Sequence, residues 1–248
     1  MREHDLTAML MNKFDRYVKD MQEIYSDREP VAQHNDQKLF LKVLSSGDKT
    51  DNPIAKISFM MLEEGRIRNK DDKENVRDTG EFTVATIIPA DAVPVPICAM
   101  EISFHFGKYL QCRAELPPLS TNEAYRDTFC KPVQQLRQGL ENLPGLSPQV
   151  SLPGLEDFSS GGLMAGHIDP AKKETVIQWF LDYADLYLSF IDRRDTYEIL
   201  GDPSVLQEAK AKKAAFCGMF KKMTPSILAD LPDLYADDLA GKLGELLF

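Results

Sequence analysis

Glu101, Ser103 and His105 stand at alternate positions of one apolar run, Ile97 to Phe106. Tyr109 to Leu116 is a second such run, and Gly107-Lys108 between them suits a two-residue hairpin turn. If Phe106 faces Tyr109 across that turn, Glu101 faces Ala114 and Ser103 faces Cys112. Side chains alternate between the faces of a sheet, so one face then carries Glu101, Ser103 and His105 amid Ala99, Cys112 and Ala114. One carboxyl and one imidazole among mainly small groups form a surface on which a flat ligand can lie. A desolvated carboxyl resists ionising and holds a proton it can donate. Pattern alone equally permits Glu101 and His105 to face water, because antiparallel sheets commonly keep one face wet.

Other residues carry weaker signals. His4, His34, His105 and His167 lack metal-ligand spacing, and Cys98, Cys112, Cys130 and Cys217 form no CxxC pair, so no metal site is expected. Scattered cysteines read as reduced thiols of an intracellular protein. "SSGG" (Ser159 to Gly162) is neither a nucleophile elbow nor a phosphate loop and reads as a turn. "DRRD" (Asp192 to Asp195) reads as a solvated helix end. Lys210, Lys212, Lys213, Lys221 and Lys222 form either a solvated helix face or a docking patch for an acidic partner or for substrate carboxylates.

A net charge of -10 argues against nucleic acid as a partner. No apolar stretch approaches the ~20 residues of a bilayer span, so no membrane partner is expected. Met1 to Leu10 resembles neither a secretory signal nor a transit peptide, which predicts a cytoplasmic protein. A trimmed form from the plastid stroma would read the same.

The elements that must position these groups follow from periodicity. Apolar residues at three- and four-residue spacing from Leu6 to Ile24 predict one amphipathic helix. Leu39 to Leu44 is a short apolar run. Ile54 to Leu62 and Glu81 to Ile88 predict strands, joined by a densely charged loop or hairpin tip, Glu64 to Gly80. Pro89, Pro94 and Pro96 keep the next link irregular. A helix capped by Ser120 or Thr121 is expected to run to about Asn142. A strand is expected within Phe158 to Ile168. Asp169-Pro170, Asp202-Pro203 and Thr224-Pro225 each pair an N-cap with an N1 proline. They predict three helix starts, the second helix ending near Phe220, with a last helix over about 235–248. Strands joined by short turns must be antiparallel. Helices on both sides of them predict a three-layer α/β/α sandwich with a central antiparallel sheet, one domain over 1–248.

The stretch "PADAVPVPICAMEISFHFGKYLQCRAELPPL" (Pro89 to Leu119) resembles the ferredoxin-dependent bilin reductases in the order Pro89, Pro96, Glu101, Gly107, Pro117. The similarity continues in "YRDTF" (Tyr125 to Phe129), "FSSGGLMAGHIDP" (Phe158 to Pro170) and "LYADDLAGKLGELLF" (Leu234 to Phe248). "ENLPGLSPQVSLPGLEDFSS" is particularly similar to the red chlorophyll catabolite reductase branch. The resemblance implies a linear tetrapyrrole substrate of biliverdin type, held between the sheet and the C-terminal helices. It implies single electrons from reduced ferredoxin alternating with protonations through substrate radicals. No bound cofactor is implied, and a monomer is expected.

Glu101 falls on the family's catalytic acidic position, with Ser103 and His105 beside it as substrate contacts. Glu63 falls near a first-strand glutamate of some members, and Glu64 aligns equally well. The C-terminal carboxylate of the family falls near Lys221 and Lys222, or on Asp230 with a small gap. Val84 or Ala85 stands where phycocyanobilin-forming members carry a histidine, which fits a two-electron reductase better than a four-electron one. The alternatives are a red chlorophyll catabolite reductase and a non-catalytic bilin carrier on the same fold.

Overall fold

The apolar runs between Leu39 and Leu116 become neighbours in one antiparallel sheet. The structure, a computed structural model, describes residues 6–34, 37–47, 51–62, 65–68, 76–79, 81–105, 109–147, 156–229 and 237–248. The chain opens with two short helices, α1 (Leu6–Lys13) and α2 (Asp15–Val18). Strands follow: β1 (Gln22–Tyr25), β2 (Ala32–His34), β3 (Gln37–Ser45), β4 (Ile54–Leu62), β5 (Gly65–Arg68), β6 (Val76–Thr79), β7 (Glu81–Pro89), β8 (Cys98–His105) and β9 (Tyr109–Glu115). Then come α3 (Glu123–Gln138), β10 (Met164–Ile168), α4 (Lys173–Asp192), α5 (Pro203–Ala229) and α6 (Asp237–Leu247). The sheet order is β1-β3-β4-β7-β8-β9-β10, with β2 also pairing β3 and the β5–β6 hairpin apart. The expected α/β/α sandwich with a central antiparallel sheet is the observed fold.

Each face of this sheet is covered by different helices. Ile57, Phe59, Ile87, Met100, Ile102, Cys112 and Met164 lie on one face. They pack in one core with Leu6 and Leu10 of α1, with Phe14 between α1 and α2, and with Val176, Phe180, Tyr187 and Ile191 of α4. Here α3 adds an aromatic knot, with Phe129 4.7 Å from Tyr125, 5.0 Å from Phe190 and 5.2 Å from Tyr197 between ring centroids. On the other face Leu39, Leu41, Met60 and Leu62 pack with Leu243 and Leu247 of α6. The Ser58 hydroxyl donates to the Leu247 carbonyl at 2.8 Å and ties the end of α6 to β4. The β10 edge is guarded by the chain before it. Ser147 N–H donates to the Ala165 carbonyl at 2.8 Å and His167 N–H to that of Gly145 at 3.0 Å, and such cover suppresses edge-to-edge association. A Cβ on Gly145 (φ 88°) would stand 2.2 Å from the His167 oxygen, so this approach needs glycine.

Four expectations are corrected. The Leu6 to Ile24 stripe is not one helix: Gln22–Tyr25 is an edge strand, and Ile24 is 44% exposed. Pairing with β3 gives this segment the backbone partners that a helix end lacks, and its Ile-Tyr pair suits a strand. The cap of α3 is Asn122, whose side chain accepts from Tyr125 N–H at 3.2 Å, and the helix stops at Gln138. Ser120 and Thr121 instead hold Glu208 of α5, the Thr121 N–H at 2.9 Å and its hydroxyl at 2.8 Å. The strand within Phe158 to Ile168 is confined to β10; Glu156–Phe158 is a 3₁₀ turn and Gly161 takes a φ of 80°. Finally, α5 continues through Thr224-Pro225 to Ala229. A proline costs one intrahelical hydrogen bond and some steric strain, which a 27-residue helix anchored at many points can offset.

The end of β9 is held by a buried acid. Glu115 accepts from Leu116 N–H at 3.0 Å and from the Ser160 hydroxyl, while Gln134 of α3 donates to the Ser160 carbonyl at 2.7 Å. Burial pushes the Glu115 carboxyl up from 4.5 to about 7, against the opposing pull of these hydrogen bonds and of Arg126. An acid with a raised folded-state pKa binds its proton more tightly when folded. Its favourable contribution is therefore complete below about 4.5 and lost as pH rises through about 7. Glu115→Gln keeps an accepting oxygen and removes the charge. It is expected to exceed the parent in stability at pH 8 by roughly 3 kcal/mol, at 1.36 kcal/mol per pKa unit, and to lose that advantage by pH 5. Urea denaturation at both pH values measures this, and an equal difference at both would refute the assignment.

Candidate active site

The hairpin that carries Glu101 pairs differently from the two-residue-turn reading. His105 faces Tyr109, so Ser103 faces Gln111, Ile102 faces Cys112 and Glu101 faces Arg113. Three residues, 106–108, separate the paired ends instead of two. A one-residue slip moves every partner to the opposite face. Cys112 and Ala114 are therefore turned away from Glu101, into the core under α4, and Arg113 takes their place. The carboxyl is not buried among small groups. Its side chain is 32% exposed, and Glu101 Oε2 lies 3.8 Å from Arg113 Nη1, whose side chain is 35% exposed.

Registers across the sheet place this pair in a row: Leu41, Met60, Val84, Glu101, Arg113 and Ala165 on six successive strands. The next row runs Leu39, Leu62, Phe82, Ser103, Gln111 and His167. The β3, β4 and β7 members of both rows pack in the cluster under α6. Beyond Val84 the rows carry Glu101, Arg113, Gln111 and His167, all partly or fully exposed, with partly exposed Ala165 and buried Ser103. The result is a sheet surface apolar and covered at one end, charged and accessible at the other. It can stack a planar molecule and offer a carboxyl and a guanidinium from below. Arg113 Nε is buried and makes no hydrogen bond among the described residues.

α5 crosses the strand ends on this same face. Lys213 donates to the Pro89 carbonyl at 3.1 Å and pairs with Asp91, Lys212 donates to the Asp157 carbonyl at 3.1 Å, and Lys221 pairs with Glu245 of α6 at 2.6 Å. Half-buried Lys56 of β4 sits near Cys217, Lys221 and Glu245, and burial pulls its ammonium below the ordinary lysine range. Of the lysines singled out in the sequence, Lys210 and Lys222 are the exposed ones. Lys221 thus holds the α5–α6 contact, with its side chain still partly exposed.

Glu101 and Ser103 lie on one stretch of β8, and the backbone of that strand places His105 opposite Tyr109. Glu63, Glu64 and Asp230 lie outside the described residues. Sequence reasoning missed Arg113, Glu115 and Lys56. Arg113 was legible only with the register in hand. Glu115 and Lys56 interrupt apolar strands, and nothing in their spacing sets them apart from solvent-facing residues. The thiols are poor nucleophiles: burial pushes Cys112 up to about 12 and raises Cys98 and Cys130 as well. Among the described residues no three of His, Cys, Asp and Glu gather as a metal set, and no helix is long and apolar enough to cross a membrane. A polar cleft of about 610 Å³ opens against α3, lined by residues including Gln134, Arg137 and Glu141. Arg137 there already donates to the Leu163 and Ser147 carbonyls at 3.0 and 2.9 Å, and the cleft includes none of the Glu101 surface.

No protein-family model matches the sequence, and no curated protein is significantly similar to it. Among solved structures, the chain is similar to selenomethionine phytochromobilin synthase from tomato, crystallised in complex with biliverdin. The TM-score is 0.67 at 14% sequence identity, over 97% of this chain and 81% of that one. At that identity the likeness is one of fold: an antiparallel sheet between helical layers.

Proposed function

We propose that this chain reduces a linear tetrapyrrole of biliverdin type with electrons from ferredoxin. The observation that carries this reading is the fold shared over nearly the whole chain with a protein that binds biliverdin. The half-covered surface around Glu101 supports it, because partly exposed Phe82, Val84 and Ala165 beside the polar groups offer a conjugated pigment an apolar margin at the edge of the α6 cluster. Reducing one double bond takes two electrons and two protons. Reduced ferredoxin supplies the electrons singly, and Glu101 supplies a proton to the pigment radical formed between them. Glu101 is then reprotonated from water, to which its side chain is partly open. Val84 beside Glu101 offers no second titrating group from β7, which favours two-electron over four-electron chemistry. The family's other acidic positions, Glu63 and Asp230, would supply further proton transfers.

An absorption assay tests the reading. The purified chain is mixed with biliverdin or red chlorophyll catabolite, and reduced ferredoxin is then added. A reductase changes the spectrum on binding and again on addition of ferredoxin. A carrier stops at the first change, and no change at all removes the tetrapyrrole reading.

Two further outcomes are expected. Glu101→Gln preserves volume and much of the hydrogen bonding, so affinity should stay within ~1–2 kcal/mol, the scale of one hydrogen bond. Turnover should fall about a hundredfold or more, as for loss of a positioned acid, and a radical-like absorption should accumulate. Wild-type turnover in the variant would remove Glu101 from the proton path. Docking of an acidic ferredoxin on a chain of net charge -10 must rely on local cations such as Lys210 and Lys222. Turnover at subsaturating ferredoxin should therefore fall with salt, as the screening length shortens from ~10 Å at 0.1 M to ~3 Å at 1 M. Salt-independent turnover would argue against electrostatic docking.

A further inference from the structure

Arg113 carries hydrogen-bonding capacity that the fold leaves unused. Its Nε is buried with no partner among the described residues. Its contact with Glu101, at 3.8 Å, is an ion pair too long to be a hydrogen bond. A buried donor left unmade is costly, so the site holds a donor that lacks its acceptor. Nε itself is closed to solvent, so an acceptor meets the guanidinium through the rest of the side chain, which is open. Val84 and Ala165 flank the pair in its row across the sheet, and both charged side chains are about one-third exposed.

The chemistry of the acceptor follows from the neighbour. A guanidinium takes carboxylate, phosphate or carbonyl oxygen. An anion drawn to Arg113 would stand against Glu101 each time proton donation leaves that carboxyl ionised, and like charges at close range repel. A neutral carbonyl oxygen accepts the same hydrogen bond without that repulsion. We propose that Arg113 is a positioning residue that takes an uncharged carbonyl oxygen of a planar ligand and so sets the ligand's register against Glu101. Resting on the tetrapyrrole reading, the acceptor is a terminal lactam oxygen and not a propionate.

Biliverdin and its dimethyl ester separate the two acceptors, because the ester keeps the lactams and loses both carboxylates. Each is titrated by absorption into the parent, Arg113→Gln and Arg113→Lys, with thermal melting as a control for folding. Arg113→Gln should weaken both pigments alike, by about tenfold to a hundredfold, as for a hydrogen bond from a charged donor. It should also shift the absorption maximum of both bound pigments, a change that a merely structural role would not produce. Arg113→Lys should recover part of the affinity, and if the Gln variant does not fold, the Lys variant must still weaken both pigments alike. A loss confined to biliverdin would show that Arg113 holds a carboxylate, and overturn the proposal. Unchanged affinity and spectrum would overturn it too. A parent that binds neither pigment removes the tetrapyrrole reading itself, a failure distinct from both.

Discussion

Which residue of β9 stands opposite Glu101 decides what both faces of the sheet carry. In the observed register Leu110, Cys112 and Ala114 face the core under α4, while Gln111 and Arg113 face the other way. Slipping β9 by one residue would exchange the two sets. A guanidinium and an amide would then lie under α4 among Phe180, Tyr187 and Ile191, which are fully buried. Burying an unpaired polar group costs a few kcal/mol, and an unpaired charge more. The register is therefore pinned by what α4 can tolerate, and the Glu101–Arg113 pair is a consequence of it.

The two helical layers do not cover the sheet equally. α1 and α4 seal one face, with α4 burying one side of its length from Val176 to Ile191 and α3 filling the space beside it. On the other face α6 covers β3, β4 and β7, and α5 crosses near the strand ends, fixed by Lys213 to the end of β7 and by Glu208 to the chain after β9. What stays accessible is the part formed by β8, β9 and β10. The apolar cluster under α6 ends at Val84, and the charged pair begins at the next strand. The border between them, where Phe82 and Val84 are partly exposed beside Glu101 and Arg113, sets hydrocarbon next to hydrogen-bonding groups, the usual composition of a small-molecule site.

Much of this fold was legible because periodicity and punctuation agreed. The runs that became β4, β7, β8 and β9 are apolar and bounded by proline or charged turns, and Asp169-Pro170 and Asp202-Pro203 start helices where they should. Failures came where a local signal had a tertiary competitor. Ile24 and Tyr25 continue a helical stripe, yet β3 offers them backbone partners. Thr121 has the chemistry of a cap, yet Glu208 takes its hydroxyl. Thr224-Pro225 has the look of a start, yet lies inside α5. At the site, Glu101 was identifiable as an acid inside an apolar strand, but its partner was not. Partner identity hangs on a single residue of loop length between β8 and β9, and Gly107-Lys108 satisfies a two-residue turn as well as part of a three-residue connection.

The Glu101–Arg113 pair is hard to explain as a stabilising feature. Exposed ion pairs are worth about 0–1 kcal/mol, and at 3.8 Å this one lacks the hydrogen bond that would raise its value. Arg113 also brings a buried, unpartnered Nε, which costs roughly 1–3 kcal/mol. The balance for folding is near zero or unfavourable. Apolar residues at both positions would extend the row of Leu41, Met60 and Val84 and cover the same strands without that cost. Buried polar groups are normally paired; among the described residues Ser26 Oγ, Tyr187 OH and Arg113 Nε are not, and the charged exception is Arg113. That exception falls on the accessible end of the sheet, beside the acid, in a fold shared with a biliverdin-binding protein.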